Sequence, residues 1–332
     1  MFSLLLDMLP SIQVKSYLGW LDWLRSQATA AGKEPVFINL DETSIACSWP
    51  QVRGNIVKPK LWLCKKQGPS AKAKLKTIRS AVTHVALISD RPDIQALLPQ
   101  IFIGNEVAFP AAAMDVSQKP VVVQYWRNKS SWNSVELMQR VLRELAASLA
   151  ARSNLQPILI MDAASIHLHT SVLEQGMKSN IWLACVPAGL TWLLQPLDTH
   201  VFALYKAWLR NQFRALRSQG LVSCQQWLHL LGRGATTFLA GRRWRRAFES
   251  AGIMGSKQRL SSALKEYFCE AGHGSAAAPV PPSETDLQLI LPRGRKTHRT
   301  LWTFKPSGRK RYLFLTWQSG KKKKISSSST SG

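Results

Sequence analysis

Acidic residues are scarce in this 332-residue chain: 19 Asp and Glu stand against 44 Lys and Arg, a formal charge of +25. That excess is far beyond what solubility requires and predicts a polyanionic partner, most simply nucleic acid. Long apolar runs are missing too. No stretch of ~18 apolar residues suggests a membrane span, and no basic amphipathic helix stands out as an interfacial anchor, so no membrane partner is expected. The five cysteines (Cys47, Cys64, Cys185, Cys224, Cys269) show no CxxC spacing and no pairing pattern. They read as thiols of a reducing compartment and not as a disulfide frame or zinc site. The opening "MFSLLLDMLP" carries Asp7 inside its apolar run and has no basic n-region, which argues against a secretory signal peptide. Internal repeats are absent, and nothing calls for a small-molecule organic cofactor.

Apolar residues make up 45% of the chain, enough for a sizeable core and a mostly globular molecule. Residues 11–32 place Tyr17, Trp20, Leu21 and Leu24 at helical spacing, with Gly32 as a stop. Strand-like runs follow at 35–49, "KLWLC", "AVTHVALIS", 96–104 and 120–126. The clearest helix is 131–152, with Ser134 as N-cap and Leu137, Val141, Leu145 and Leu149 as its stripe. A strand ending at Asp162, a helix near 171–178, the strand "IWLACVP" and a helix over 199–217 complete the pattern. Strands interleaved with helices predict an α/β class, a mixed sheet flanked by helices. Beyond 220 the chain reads as helical, then as a linker at 274–283, then as a basic stretch over 292–332 with 12 Lys and Arg and no acid. A hairpin turning at Pro306–Gly308 and a disordered end are expected there.

Three carboxylates share one context. Asp41 ends or interrupts an apolar strand, Asp162 ends a second, and Asp198 follows a third and begins a helix. Strand ends in an α/β sheet lie side by side, so the three can converge. Clustered carboxylates call for a neutralising cation, and hard oxygen ligands suit Mg²⁺ or Mn²⁺. Two such ions support phosphodiester displacement.

The blocks "INLDETSI", "ILIMDAASIH" and "TWLLQPLDTHVFALYK" resemble, in order and spacing, the catalytic blocks of the DDE-superfamily endonuclease domain of pogo/mariner-like transposases. The resemblance covers roughly 35–255 and implies an RNase H-like fold. It implies that Asp41, Asp162 and Asp198 are the catalytic and metal-binding triad, holding two Mg²⁺ or Mn²⁺ ions. The implied activity is metal-dependent cleavage and strand transfer on DNA, with a homodimer expected from the family. On this reading residues 1–34 are an N-terminal helical segment and 35–220 the RNase H-like catalytic domain. A helical extension follows over 221–273, and a linker with a basic, partly disordered tail over 274–332. Where the family usually has Asn after the second acid, this chain has Ala163, and only about 35 residues precede the first block. A catalytically inactive or domesticated nucleic-acid-binding nuclear protein is therefore the competing reading, and an RNA-directed nuclease on the same fold a third.

Plainer readings stand beside these roles. Asp198 suits a helix N-cap, and Asp162 suits a solvated turn. Asp41 and Glu42 are adjacent, so in a strand they face opposite sides; Glu42 is then an ion-pair partner or an accessory residue. His167, also accessory, matches the family's recurrent His after the second acid. His200 reads as a first-turn helix residue. The segment 53–79 combines nine cations, no acid and Trp62, which favours nucleic-acid contact through Lys58, Lys60, Lys65, Lys66, Lys72, Lys74 and Lys76. Lys206, eight residues past Asp198, and Arg242, Arg243, Arg245 and Arg246 of "RRWRR" are further candidate phosphate contacts. The basic runs near the end fit a nuclear location. Trp20, Trp23, Trp182 and Trp208 read as core residues.

Overall fold

The computed structural model describes residues 2–46, 81–106, 108–110, 120–129, 132–255, 257–269, 298–301 and 315–318. Six strands form one sheet: β1 (Glu34–Ala46), β2 (Ala81–Ser89), β3 (Gln100–Gly104), β4 (Val123–Arg127), β5 (Leu155–Met161) and β6 (Trp182–Cys185). Their order is β4-β3-β2-β1-β5-β6. β1, β2 and β3 run antiparallel in sequence, while β1/β5, β5/β6 and β3/β4 are parallel. Ala46 pairs directly with Ala81, so β1 and β2 stay in register to the last described residue of one and the first of the other. Parallel neighbours need crossovers; the helix Val135–Ser148 precedes β5, and the helix Thr170–Lys178 joins β5 to β6.

The longer helices are α1 (Phe2–Ala30), α3 (Val135–Ser148), α4 (Thr170–Lys178), α6 (Phe202–Arg217), α7 (Cys224–Arg233) and α9 (Ser262–Cys269). Short ones are α2 (Pro92–Gln95), α5 (Thr191–Leu194) and α8 (Arg245–Ser250). π-helical segments occupy Leu197–Val201 and Gly234–Ala240. This is the expected mixed sheet flanked by helices. None of the described helices is long and apolar enough to cross a membrane.

Side-chain alternation assigns the two sheet faces. On β1, Val36, Ile38 and Leu40 join Met138, Val141, Leu142 and Leu145 of α3 in one apolar cluster. Phe37 and Ile45 face the other way, into a cluster with Leu21 of α1, Tyr205 and Leu209 of α6, Trp227 and Phe248. That second cluster draws on α1, on the sheet and on helices as far along as Leu264, so one continuous core runs through them. Ser134 caps α3 by accepting from the Leu137 N–H, as its sequence position predicts.

Several elements differ from their sequence reading. α1 begins at Phe2, because the apolar opening residues are its first turns. The buried stripe of α3 is Met138, Val141, Leu142 and Leu145, so Leu137 is only partly buried. The helix expected at 199–217 starts at Phe202, behind the π-helical turn. β7 (His298–Leu301) and β8 (Leu315–Gln318) pair antiparallel, as a basic hairpin requires. Its turn, the strand "KLWLC" and the end of the tail lie outside the described residues.

Candidate active site

Asp41 does not end β1: the strand continues to Ala46, and Asp41 stands in its interior opposite Ala86. It shares a face with Asn39 and Thr43 by the two-residue period. Asp162 is the first residue past β5. The parallel register pairs Asn39 with Ile160, and continuing it by two residues sets Asp162 level with Asp41. Neighbouring strands lie ~4.8 Å apart, so the two acids sit on adjacent chains at one height.

Asp198 arrives by another route. It lies in the π-helical turn Leu197–Val201, and no side chain caps either that turn or α6. The N-cap role expected of Asp198 is therefore not what the structure shows. Buried Asn39 holds the turn in place: its Oδ1 accepts from the Leu197 N–H at 2.8 Å, and its Nδ2 donates to the Ile160 carbonyl at 3.0 Å. One amide thus ties β1, β5 and the turn carrying Asp198 together. The Asp198 carboxyl is within hydrogen-bonding reach of the Asp41 carboxyl and of Thr191.

The electrostatics follow from that arrangement. Asp41, 9% exposed, is raised well above the carboxylate range, first by burial and then by the charges of Asp198, Glu42 and Asp162; the Glu42 N–H, 2.8 Å from Oδ1, opposes this. Asp198 is also raised, first by burial; its hydrogen bond with Asp41 opposes this, Asp162 adds to it, and Lys206 and Thr191 subtract. Asp162 stays low: burial would raise it, but the hydrogen bond and charge of His167 and the Ala164 N–H outweigh burial. Lys206 is lowered, first by burial, against the pull of Asp198 and Asp41. Like charges in a partly desolvated site destabilise one another, and a proton or a cation between Asp41 and Asp198 relieves them.

His167 is buried, although burial disfavours an imidazolium. Its Nδ1 is 2.5 Å from Asp162 Oδ1 and its Nε2 3.1 Å from Glu42 Oε1. Burial acts to lower its pKa, yet the hydrogen bonds with Asp162 and Glu42 raise it to about 10. With both nitrogens protonated, each donates to a carboxylate. Glu42 is therefore the ion-pair partner of His167, on the face opposite Asp41.

Asp41 and Asp198 come together, and Asp162 acts on both through charge while one of its oxygens is committed to His167. Among the described residues no three His, Cys, Asp or Glu side chains are grouped closely enough to hold a metal ion. The donor chemistry nonetheless fits one. All candidate ligands are hard oxygens, and four carboxylates (Asp41, Glu42, Asp162, Asp198) against His167 and Lys206 leave a formal charge of −4 + 2 = −2.

The expected basic contacts divide. Lys206 is at the site, beside Asp198 and Asp41, with its ammonium 5.8 Å from the centre of the Phe202 ring. Arg246 is exposed near His200, whose pKa is lowered by burial first and by Arg246 second. His200 is occupied by Thr199 Oγ1, 2.6 Å from its Nδ1. Arg243 is exposed. Arg242 stacks over Phe238 at 3.9 Å. Arg245 is exposed and, with Arg259, pairs with buried Glu249. Lys58, Lys60, Lys65, Lys66, Lys72, Lys74 and Lys76 lie outside the described residues. Trp20 and Trp23 are buried as expected, and Trp182 and Trp208 are partly buried against the core.

Sequence reasoning missed Asn39, Thr191 and Asn133. Asn39 had a signal: a polar residue inside an apolar strand, two before Asp41 and so on its face. Thr191 and Asn133 had none, because their contacts are set by tertiary placement. Asn133 donates to Glu42 Oε1 at 2.6 Å.

Among solved structures, the chain is similar to the Mos1 transposase paired-end complex with left transposon end (13% identity, TM-score 0.34, 72% of this chain and 62% of that one). It is also similar to the catalytic domain of Mos1 mariner transposase (12% identity, TM-score 0.32, 74% and 96%) and to the Mos1 strand transfer complex (14% identity, TM-score 0.33, 75% and 63%). The chain thus spans 62% of the length of the transposase in the paired-end complex. A comparison with curated proteins gave no match. The DDE superfamily endonuclease family model matches residues 90–252, which include Asp162 and Asp198 and leave Asp41 outside. The segment 90–252 is thus similar to the DDE superfamily endonucleases, by a match that spans just under half of the chain.

Proposed function

We propose that the chain is a transposase-derived endonuclease domain that binds DNA and carries out metal-dependent phosphodiester cleavage and strand transfer at Asp41, Asp162 and Asp198. The observation that carries this reading is the close pair Asp41–Asp198, both raised first by burial and then by neighbouring carboxylate charge, beside a third acid at the same height of the sheet. Mg²⁺ or Mn²⁺ at these oxygens would supply activation of the attacking oxygen and charge stabilisation on the leaving one. The protein's own groups do the rest. Asp41 and Asp198 provide the negative oxygens, and the Asn39 amide fixes the turn that presents Asp198. Lys206 sets a positive charge against the acids from the α6 side, placed to hold a phosphate. Trp192, exposed next to Thr191, offers a flat apolar face for a base at the mouth of the site. The Mos1 structures named above include complexes with transposon ends, in line with DNA as the substrate here. A homodimer and a nuclear location belong to the same reading.

The second reading, a DNA-binding protein that no longer cuts, draws on Ala163 and on Asp162 being held by His167. Nicking of supercoiled plasmid with Mg²⁺ or Mn²⁺ separates the two. Wild-type chain should nick only with metal, and Asp41→Asn, Asp162→Asn and Asp198→Asn should each lose at least a hundredfold in rate. Tight DNA binding with no nicking by any form would establish the second reading.

A further inference from the structure

We propose that Asn133 and Glu42 are positioning residues that act through His167 to fix the Asp162 carboxylate, holding Oδ1 and leaving Oδ2 as the oxygen offered to the site. The inference rests on the endonuclease reading above. Four residues from three places in the chain form one line of hydrogen bonds. Asn133 Nδ2 donates to Glu42 Oε1 at 2.6 Å, while its Oδ1 accepts from the Ser134 N–H at 2.9 Å, so the start of the line is itself anchored beside the N-cap of α3. Glu42 Oε1 lies 3.1 Å from His167 Nε2, and His167 Nδ1 lies 2.5 Å from Asp162 Oδ1.

The imidazole is a rigid spacer with its two nitrogens on opposite sides of the ring. Fixing Glu42 on a central strand therefore fixes where Nδ1 points. The backbone of His167 is held as well, its N–H donating to the Ala164 carbonyl at 3.0 Å. Asp162 Oδ1 also accepts from the Ala164 N–H at 3.1 Å. Ala163 has no side-chain hydrogen bond to give, so His167 and the Ala164 N–H are the groups that orient Asp162. No described residue donates to Oδ2. A ligand oxygen held by a buried hydrogen-bonded partner loses little freedom on binding an ion, and removing such a partner weakens metal affinity roughly 10–100-fold.

The test compares wild type, Asn133→Ala, Glu42→Gln and Glu42→Ala by two readouts. The first is the imidazole N–H signals of His167 in proton–nitrogen NMR. The second is Mn²⁺ affinity from water proton relaxation, with no DNA present. Asn133→Ala is expected to shift or broaden the His167 signals and to weaken Mn²⁺ binding about tenfold, with thermal unfolding still cooperative. Glu42→Gln, which keeps an acceptor oxygen, should lose less than Glu42→Ala. Unchanged His167 signals or unchanged Mn²⁺ affinity in folded Asn133→Ala would overturn the proposal. If wild type binds no Mn²⁺, the endonuclease reading fails by that result; the His167 signals then decide alone whether Asn133 and Glu42 set the imidazole.

Discussion

Asn39 carries the third acid to its place with a single amide, and it does so without exposure to water. Replacing it with Ala leaves the Leu197 N–H and the Ile160 carbonyl without their partners, each a buried polar group. Such groups cost ~1–3 kcal/mol apiece. Asn39→Ala is therefore expected to lower unfolding stability by roughly 2–4 kcal/mol, read in denaturant melts, and to weaken Mn²⁺ binding because the turn holding Asp198 is released. His84 poses a different test. It is fully buried, stacked on Phe102 at 4.0 Å, and neither ring nitrogen has a hydrogen-bond partner among the described residues. The nearby Gln100 amide is spent on the Leu87 carbonyl at 2.8 Å. Burial lowers the His84 pKa to about 3, slightly opposed by Gln100. An unfolded His titrates near 6.5, so between ~6.5 and ~3 the unfolded chain holds a proton that the folded chain refuses. Stability is lost as pH falls through that window, by about 2–3 kcal/mol at pH ~4.5 from this group. His84→Phe should flatten the acid limb of the stability–pH curve by that amount; equal curves for both proteins would show that His84 finds a partner.

At the scale of elements, α4 lies so close to β6 that a glycine is required. A Cβ at Gly176 would stand 2.8 Å from Leu183 Cδ1 and 2.9 Å from Cγ. Gly to Ala in a helix normally gains ~1 kcal/mol, whereas overpacking costs ~1–3 kcal/mol. Gly176→Ala is accordingly expected to destabilise the fold by about 1 kcal/mol net, visible as a lower melting temperature. The strands and crossover helices were legible because their signals are local: β-branched runs such as "AVTHVALIS", and the Ser134 cap before an amphipathic stretch. The π-helical turn was not, because "QPLDTHV" reads as an ordinary helix start, and the pull that shapes it comes from Asn39, far away in sequence. The same distinction holds for the site. Asp41, Asp162 and Asp198 could be chosen from strand position and motif, and Glu42 from alternation. The bond from Asn133 to Glu42, and the capture of Asp162 by His167, depend on which loops the sheet brings together.

For the molecule as a whole, +25 is the dominant quantity, and nine of the cations lie in segment 53–79. Because Ala46 and Ala81 are partners, segment 47–80 can be replaced by a two-residue Asn-Gly turn, the shortest connection an antiparallel pair takes. The shortened chain should keep its melting behaviour and lose non-specific DNA affinity. The slope of log affinity against log salt should shrink by ~0.9 for each phosphate contact removed. An unchanged slope would move the electrostatic footprint to Lys206, Arg243 and Arg246. The Ala46–Ala81 pair also has a bearing on descent. Where the ends of an insertion are locked to each other, its contents are free to drift, lengthen or be exchanged while the carboxylates a few residues away keep their places. On the proposed reading of the basic segment, what the chain grips and what it does once gripping are separately inheritable.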